Sequence, residues 1–214
     1  MNLLALINQF FAAYSQYNFD FYFYNEAALK MELCIFLQSV LCSSGYKVQV
    51  ERDISLFGIN KGVYSHKIDI IIFKPGYQTQ NALYSECYAL EVKLPLKSTG
   101  ELPIRMYDSI VDVKLMEDFK CKVLSSGKCA VVKTFVLTLT DNDNFYNNTS
   151  STNTQVAKIA YYFQKGIQGT ILKPYKKRSN GNRPMKVTVT GQYNVNWLNA
   201  DLTGNWKYYC FECV

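Results

Sequence analysis

Two short apolar runs, Lys67-Ile-Asp-Ile-Ile-Ile-Phe73 and Ala89-Leu-Glu-Val-Lys-Leu94, constrain this chain more than any other feature. Each reads as a β-strand, rich in branched and long apolar residues and closed by a turn signal, Lys74-Pro-Gly76 or Pro95. Each also carries ionisable residues where a buried strand normally has none. An unpaired carboxylate in such a place costs several kcal/mol, so it is expected to be paired, metal-bound or functional. Strand side chains alternate between faces, which puts Asp69 with Ile71 and Glu91 with Lys93. If the strands pair, two carboxylates and a lysine converge.

The flanking pattern supplies the rest of an α/β domain. Leu3, Leu6, Ile7, Phe10, Phe11 and Tyr14 follow helical spacing. That spacing, with Asn8 and Gln9 in the apolar run and no basic leader, argues against a signal peptide. Asn25 is a candidate N-cap for a helix carrying Leu29, Leu33, Phe36, Leu37, Val40 and Leu41, ended by Ser43-Ser-Gly45. Residues 46–51 alternate as a strand, and a connection through Pro75, Gly76 and Gln78 joins the two acidic strands. A helix is expected over 102–120, a nearly all-apolar strand over 130–139, a helix over 155–164, and late strands over 185–190 and 206–213. Helices interleaved with strands predict an α/β fold, a central mixed sheet flanked by helices. A single domain over 1–214 is the economical reading, with its core at about 25–165 and the strands of 185–214 added to it.

The formal charge of +6 permits a polyanionic partner. No apolar run reaches the length of a membrane span, so no membrane role is expected. The seven cysteines read as reduced thiols of a cytoplasmic protein. Cys210 and Cys213 form a lone C-x-x-C, with only His66 to add, which falls short of the four ligands of a zinc site.

Asp69, Glu91 and Lys93 together suit metal-dependent hydrolysis of a phosphodiester: carboxylates hold a hard cation, and a lysine orients water or neutralises phosphate. Ile68-Asp69 and Glu91-Val92-Lys93 resemble the PD-(D/E)xK nuclease superfamily, the restriction-endonuclease-like fold, with Ile68 where that family has Pro. The resemblance implies metal binding by Asp69, Glu91 and the Val92 carbonyl, and a catalytic role for Lys93. It also implies an acid on the preceding helix, for which Glu32 is the first choice and Glu26 the runner-up. Glu51 closes the next strand, where many members carry an acid. The segment from Tyr107 to Phe119 and the strand ending at Asp141 look like the bacterial type II restriction-enzyme branch.

The implied activity is a Mg²⁺-dependent endodeoxyribonuclease, with Mn²⁺ able to substitute and double-stranded DNA as substrate. A homodimer would suit cutting of both strands. The alternative is a non-catalytic DNA-binding or assembly subunit that keeps the fold. Lys61, Lys97 and Arg105 flank the proposed site, and the basic loop with Lys176, Lys177 and Arg178 is placed to track phosphates. No nucleotide cofactor is expected: Ser126-Gly-Lys128 resembles the end of a P-loop but lacks its opening Gly, and Cys129 stands where Ser or Thr belongs.

Overall fold

The computed structural model describes residues 1–59, 67–79, 82–98, 100–147, 154–174 and 184–214. Five helices lie in it: α1 Leu3–Tyr14, α2 Phe19–Tyr22, α3 Glu26–Leu41, α4 Leu102–Ser126 and α5 Thr154–Lys165. The strands are β1 Lys47–Asp53, β2 Lys67–Thr79, β3 Ala82–Lys93, β4 Cys129–Thr140, β5 Ile167–Leu172, β6 Lys186–Tyr193, β7 Leu198–Asn199 and β8 Lys207–Cys213. Six of them form one mixed sheet in the order β1-β2-β3-β4-β8-β7, and β5 pairs with β6 separately. Only β3 and β4 run parallel, joined by the crossover helix α4. The chain is thus α/β, with a six-stranded mixed sheet flanked by helices.

The sheet separates two apolar clusters. On one face α1 and α3 bring Leu3, Ile7, Phe10, Leu29, Leu33 and Leu37 onto Ile70, Ile72, Leu90 and Val92. On the other, α4 and α5 bring Ile110, Val113, Met116 and Phe163 onto Ile71, Ala89 and Val136. The strands from β2 to β4 are therefore apolar on both faces, as their sequence predicts.

Local chemistry explains the helix ends. The Asn25 side chain accepts the Ala28 N–H at 2.8 Å and opens α3. Pro103 sits in the first turn of α4, and Gly127, with φ +66°, closes it in the left-handed conformation that favours glycine. The Ser126-Gly-Lys128 segment is thus a helix terminus. Residues Glu26–Ser44 reach a mean hydropathy of 1.3 and the length of a membrane span. One stripe of this helix, Leu29, Leu33 and Leu37, is fully buried against the sheet, while Met31 and Ile35 on its outer side are exposed.

The expected connection through Pro75 and Gly76 is instead strand, and the β2–β3 hairpin runs from Lys67 to Lys93. Its register shifts on either side of Pro75, so the residue without an N–H falls at an irregularity. Gly76 is needed there because a Cβ would come within 2.9 Å of the Ser85 nitrogen. The strand β5 and the short β7 were not anticipated from periodicity. On β8, Cys210 packs with the α1/α3 cluster and Cys213 lies in the α4 cluster, so the C-x-x-C pair straddles the sheet.

Candidate active site

The hydrogen-bonded ladder between β2 and β3 ends at the pair Ile70–Leu90. Beyond it, acidic side chains take over the backbone donors. The Asp69 N–H donates to Glu91 Oε1 at 3.3 Å, and the Val92 N–H donates to Asp69 Oδ2 at 2.9 Å. On the other side of β2, Glu51 stands opposite Asp69, between the pairs Val50–Ile70 and Arg52–Ile68. Glu51, Asp69 and Glu91 therefore form a row across three strands. Like charges directly opposite one another repel, so this row needs cations.

Two lysines supply them, one from a covering helix and one from the sheet itself. Lys30 of α3 reaches Asp69 Oδ1 at 2.9 Å and Glu51 Oε1 at 3.0 Å, and lies 3.9 Å from Glu26 Oε1. Lys93 of β3 lies 3.1 Å from Asp112 Oδ2 of α4. Glu51 has φ +54°, a left-handed backbone that costs a non-glycine residue roughly 1–2 kcal/mol. Its carboxylate is held between Lys30 and Lys67, the latter at 3.5 Å. Strain of this kind clusters at functional sites.

The electrostatics follow from burial and crowding. Glu91 is only 4% exposed, and burial pushes its pKa well above the usual carboxylate range. The Asp69 and Asp112 charges push the same way, and Lys93 opposes them. Hydrogen bonding with Asp69 adds to the rise. Burial raises Asp112 to about 6 against the pull of Lys93. Burial alone would lower Lys93, but the charges of Asp112, Glu91, Glu26 and Asp69 outweigh it and hold the amine well above its ordinary value. Burial of Lys30 is likewise outweighed, chiefly by Asp69. Both lysines stay charged.

A cleft of about 290 Å³ opens beside Lys93, lined by Glu26, Pro95, Arg105, Asp108 and Asp112 among others. Of the two acids of α3 considered from sequence, Glu26 is the one that lines this cleft. Glu32, the first choice from sequence, lies about 160° around α3 from Lys30 and accepts the Tyr14 hydroxyl at 2.6 Å, toward α1. Arg105 is exposed on the cleft wall. Lys97 lines a separate cleft with Asp141 and Asp201. Lys61, His66, Lys176, Lys177 and Arg178 lie outside the described residues.

Lys30 and Asp112 were not singled out from sequence. Their signals were faint: Glu26–Lys30 looks like an ordinary i,i+4 surface pair, and Asp112 is one polar residue between Val111 and Val113.

The donor set suits a hard divalent cation. Its oxygens come from carboxylates, and the raised pKa of Glu91 is partly like-charge repulsion that a cation would relieve. Among the described residues, no three His, Cys, Asp or Glu side chains converge as a ready ligand set. Two carboxylates with water completing the shell match the habit of Mg²⁺, which dehydrates reluctantly. No family model, curated protein or solved structure matches the chain.

Proposed function

We propose that this protein is a Mg²⁺-dependent endodeoxyribonuclease of the restriction-endonuclease-like class, acting on double-stranded DNA in the cytoplasm as a type II restriction enzyme or a defence-associated relative. One observation carries the reading: the β2–β3 register sets Asp69 against Glu91 at the strand ends, and Lys93, two residues along β3 from Glu91, lines a cleft. Asp69, Glu91 and the Val92 carbonyl are the groups to hold the cation. A cation there would supply a water of lowered pKa and neutralise charge on the phosphorane oxygens.

The remaining roles belong to the chain itself. Lys93 keeps its proton and donates hydrogen bonds to the attacking water or the scissile phosphate. Asp112 fixes the Lys93 amine. Arg105, on the exposed wall, meets a neighbouring phosphate. Two copies related by a two-fold axis would address the two strands of a duplex.

The test is cleavage of supercoiled plasmid with and without Mg²⁺ or Mn²⁺, comparing wild type with Asp69→Ala and Lys93→Ala. Metal-dependent nicking or linearisation lost in both variants supports the assignment. Equal cleavage by both variants ends it.

A second reading, a DNA-binding subunit without cleavage, draws on the ion pairs that occupy the catalytic groups, Lys30 on Asp69 and Asp112 on Lys93. It expects duplex binding that weakens steeply with salt and no cleavage in any divalent metal.

A further inference from the structure

Three carboxylates from three different elements face one ammonium. Glu26 of α3, Glu51 of β1 and Asp69 of β2 lie at 3.9, 3.0 and 2.9 Å from the Lys30 Nζ. The lysine side chain is 15% exposed, so its neutralisation is carried by protein groups more than by water. Glu51 reaches it from a left-handed backbone, a conformation that a glutamate adopts only when something holds it there. The ammonium therefore takes up negative charge on Asp69 and Glu51 that a mobile cation would otherwise have to neutralise, and this cation is covalently attached to α3.

We propose that Lys30 is a built-in cation of this site: its ammonium occupies the position on Asp69 that a second divalent ion would otherwise take, so the protein works with one exchangeable metal. The inference rests on the metallonuclease reading and deepens it. Many phosphodiester-cleaving sites use two metal ions about 4 Å apart to balance the attacking and leaving oxygens. In this chain the Lys30 charge neutralises Asp69 Oδ1 and Glu51 permanently. An exchangeable ion is then left with Glu91 and the remaining lone pairs of Asp69. A lysine ammonium is a compact charge with three donors, and three carboxylates lie around it.

Bound Mn²⁺ is counted by electron paramagnetic resonance titration on wild type, Lys30→Met and Lys30→Arg, with circular dichroism confirming that each is folded. The expected result is one Mn²⁺ per chain in wild type and in Lys30→Arg, and two in Lys30→Met, where the uncharged side chain releases the triad. Two Mn²⁺ per wild-type chain overturns the inference with no variant needed, which covers the case that Lys30→Met does not fold. One Mn²⁺ in wild type and still one in folded Lys30→Met also overturns it, while leaving the metallonuclease reading intact. Absence of Mn²⁺ binding by both proteins removes that reading and the inference together.

Discussion

Lys93 and Asp112 meet across 3.1 Å at the wall of the cleft, one from the last residue of β3 and the other from the middle of the crossover helix α4. The pair links the strand that carries the catalytic candidates to the helix that returns the chain to β4. In the proposed function Asp112 positions Lys93, because its carboxylate lies against the amine. Replacing such a supporting carboxylate typically costs 10–100-fold in activity. Asp112→Asn is therefore expected to slow single-turnover plasmid cleavage by about 10–100-fold, with little loss of Mn²⁺ binding. A cleavage rate equal to wild type would show that Lys93 needs no such support.

The same pair predicts a pH dependence. Burial lifts Asp112 from 3.8 to about 6. Below about 6 the acid is protonated and its ion pair with Lys93 is lost, so cleavage should fall on the acid side through that pH. The stability effect has the opposite sense. Between 3.8 and about 6 the folded state binds more protons at this position than the unfolded chain, so Asp112's contribution to stability declines as pH rises across that window. In Asp112→Asn the acid limb of the rate profile should flatten, and a limb unchanged in shape would assign it to another group.

Glu117 anchors the small β5–β6 sheet to α4. Its buried carboxylate accepts the Thr190 and Gly191 N–H groups and the Tyr193 hydroxyl at 2.7–3.0 Å. Burial pushes its pKa up, but those donors prevail and hold it below 4.5. The contribution is thus fully present above pH 4.5 and fades as pH falls through the lowered folded value. Glu117→Gln is expected to lower stability by ~1–3 kcal/mol at pH 7, and the gap to wild type should narrow at pH values below 4.5. Urea midpoints at neutral and acid pH measure both; a constant gap would contradict the charge-based account.

Gly76 offers a purely steric test. An added Cβ would meet the Ser85 nitrogen at 2.9 Å and the Tyr84 carbonyl carbon at 3.2 Å, both backbone atoms that cannot swing aside. Gly76→Ala should cost about 1–3 kcal/mol, the usual penalty of overpacking. A melting temperature within error of wild type would show that the hairpin yields there.

How much of this architecture was readable beforehand depended on the period of the signal. The apolar runs around Asp69 and Glu91 and the leucine repeat of α3 are strong periodic patterns, and the elements fall where they predict. Residues 75–79 misled because Pro and Gly usually end a strand, whereas here the irregular register absorbs both. The strand β5 carries Gln168-Gly-Thr170 between Ile167 and Ile171, too little alternation to announce itself. At the site, the facing of Asp69 and Glu91 follows from strand parity. The partners from α3 and α4 do not, because periodicity gives a helical residue's face but not which strand end that face will meet. Lys30 and Asp112 came from the tertiary packing alone.

The choice between Glu26 and Glu32 illustrates this and can be tested directly. Both lie on α3, six residues apart, so they cannot share a face. Helix period alone does not say which turns toward β2. The structure orients α3 by burying Leu29, Leu33 and Leu37 on the sheet, which leaves Glu26 and Lys30 at the strand ends and turns Glu32 to the Tyr14 hydroxyl. Glu26 lines the cleft with Lys93 and adds to the negative field that keeps that lysine charged. Glu26→Gln is therefore expected to slow cleavage by about tenfold or more, in the range of other supporting-carboxylate losses. Glu32→Gln should leave the cleavage rate within twofold (roughly 0.4 kcal/mol in barrier terms) and lower stability by about 1 kcal/mol through the weakened Tyr14 bond. Cleavage rates and melting temperatures measured on the two variants together decide the matter. A rate defect in Glu32→Gln with Glu26→Gln unaffected would reverse the assignment, because no single orientation of α3 brings both carboxylates to the cleft.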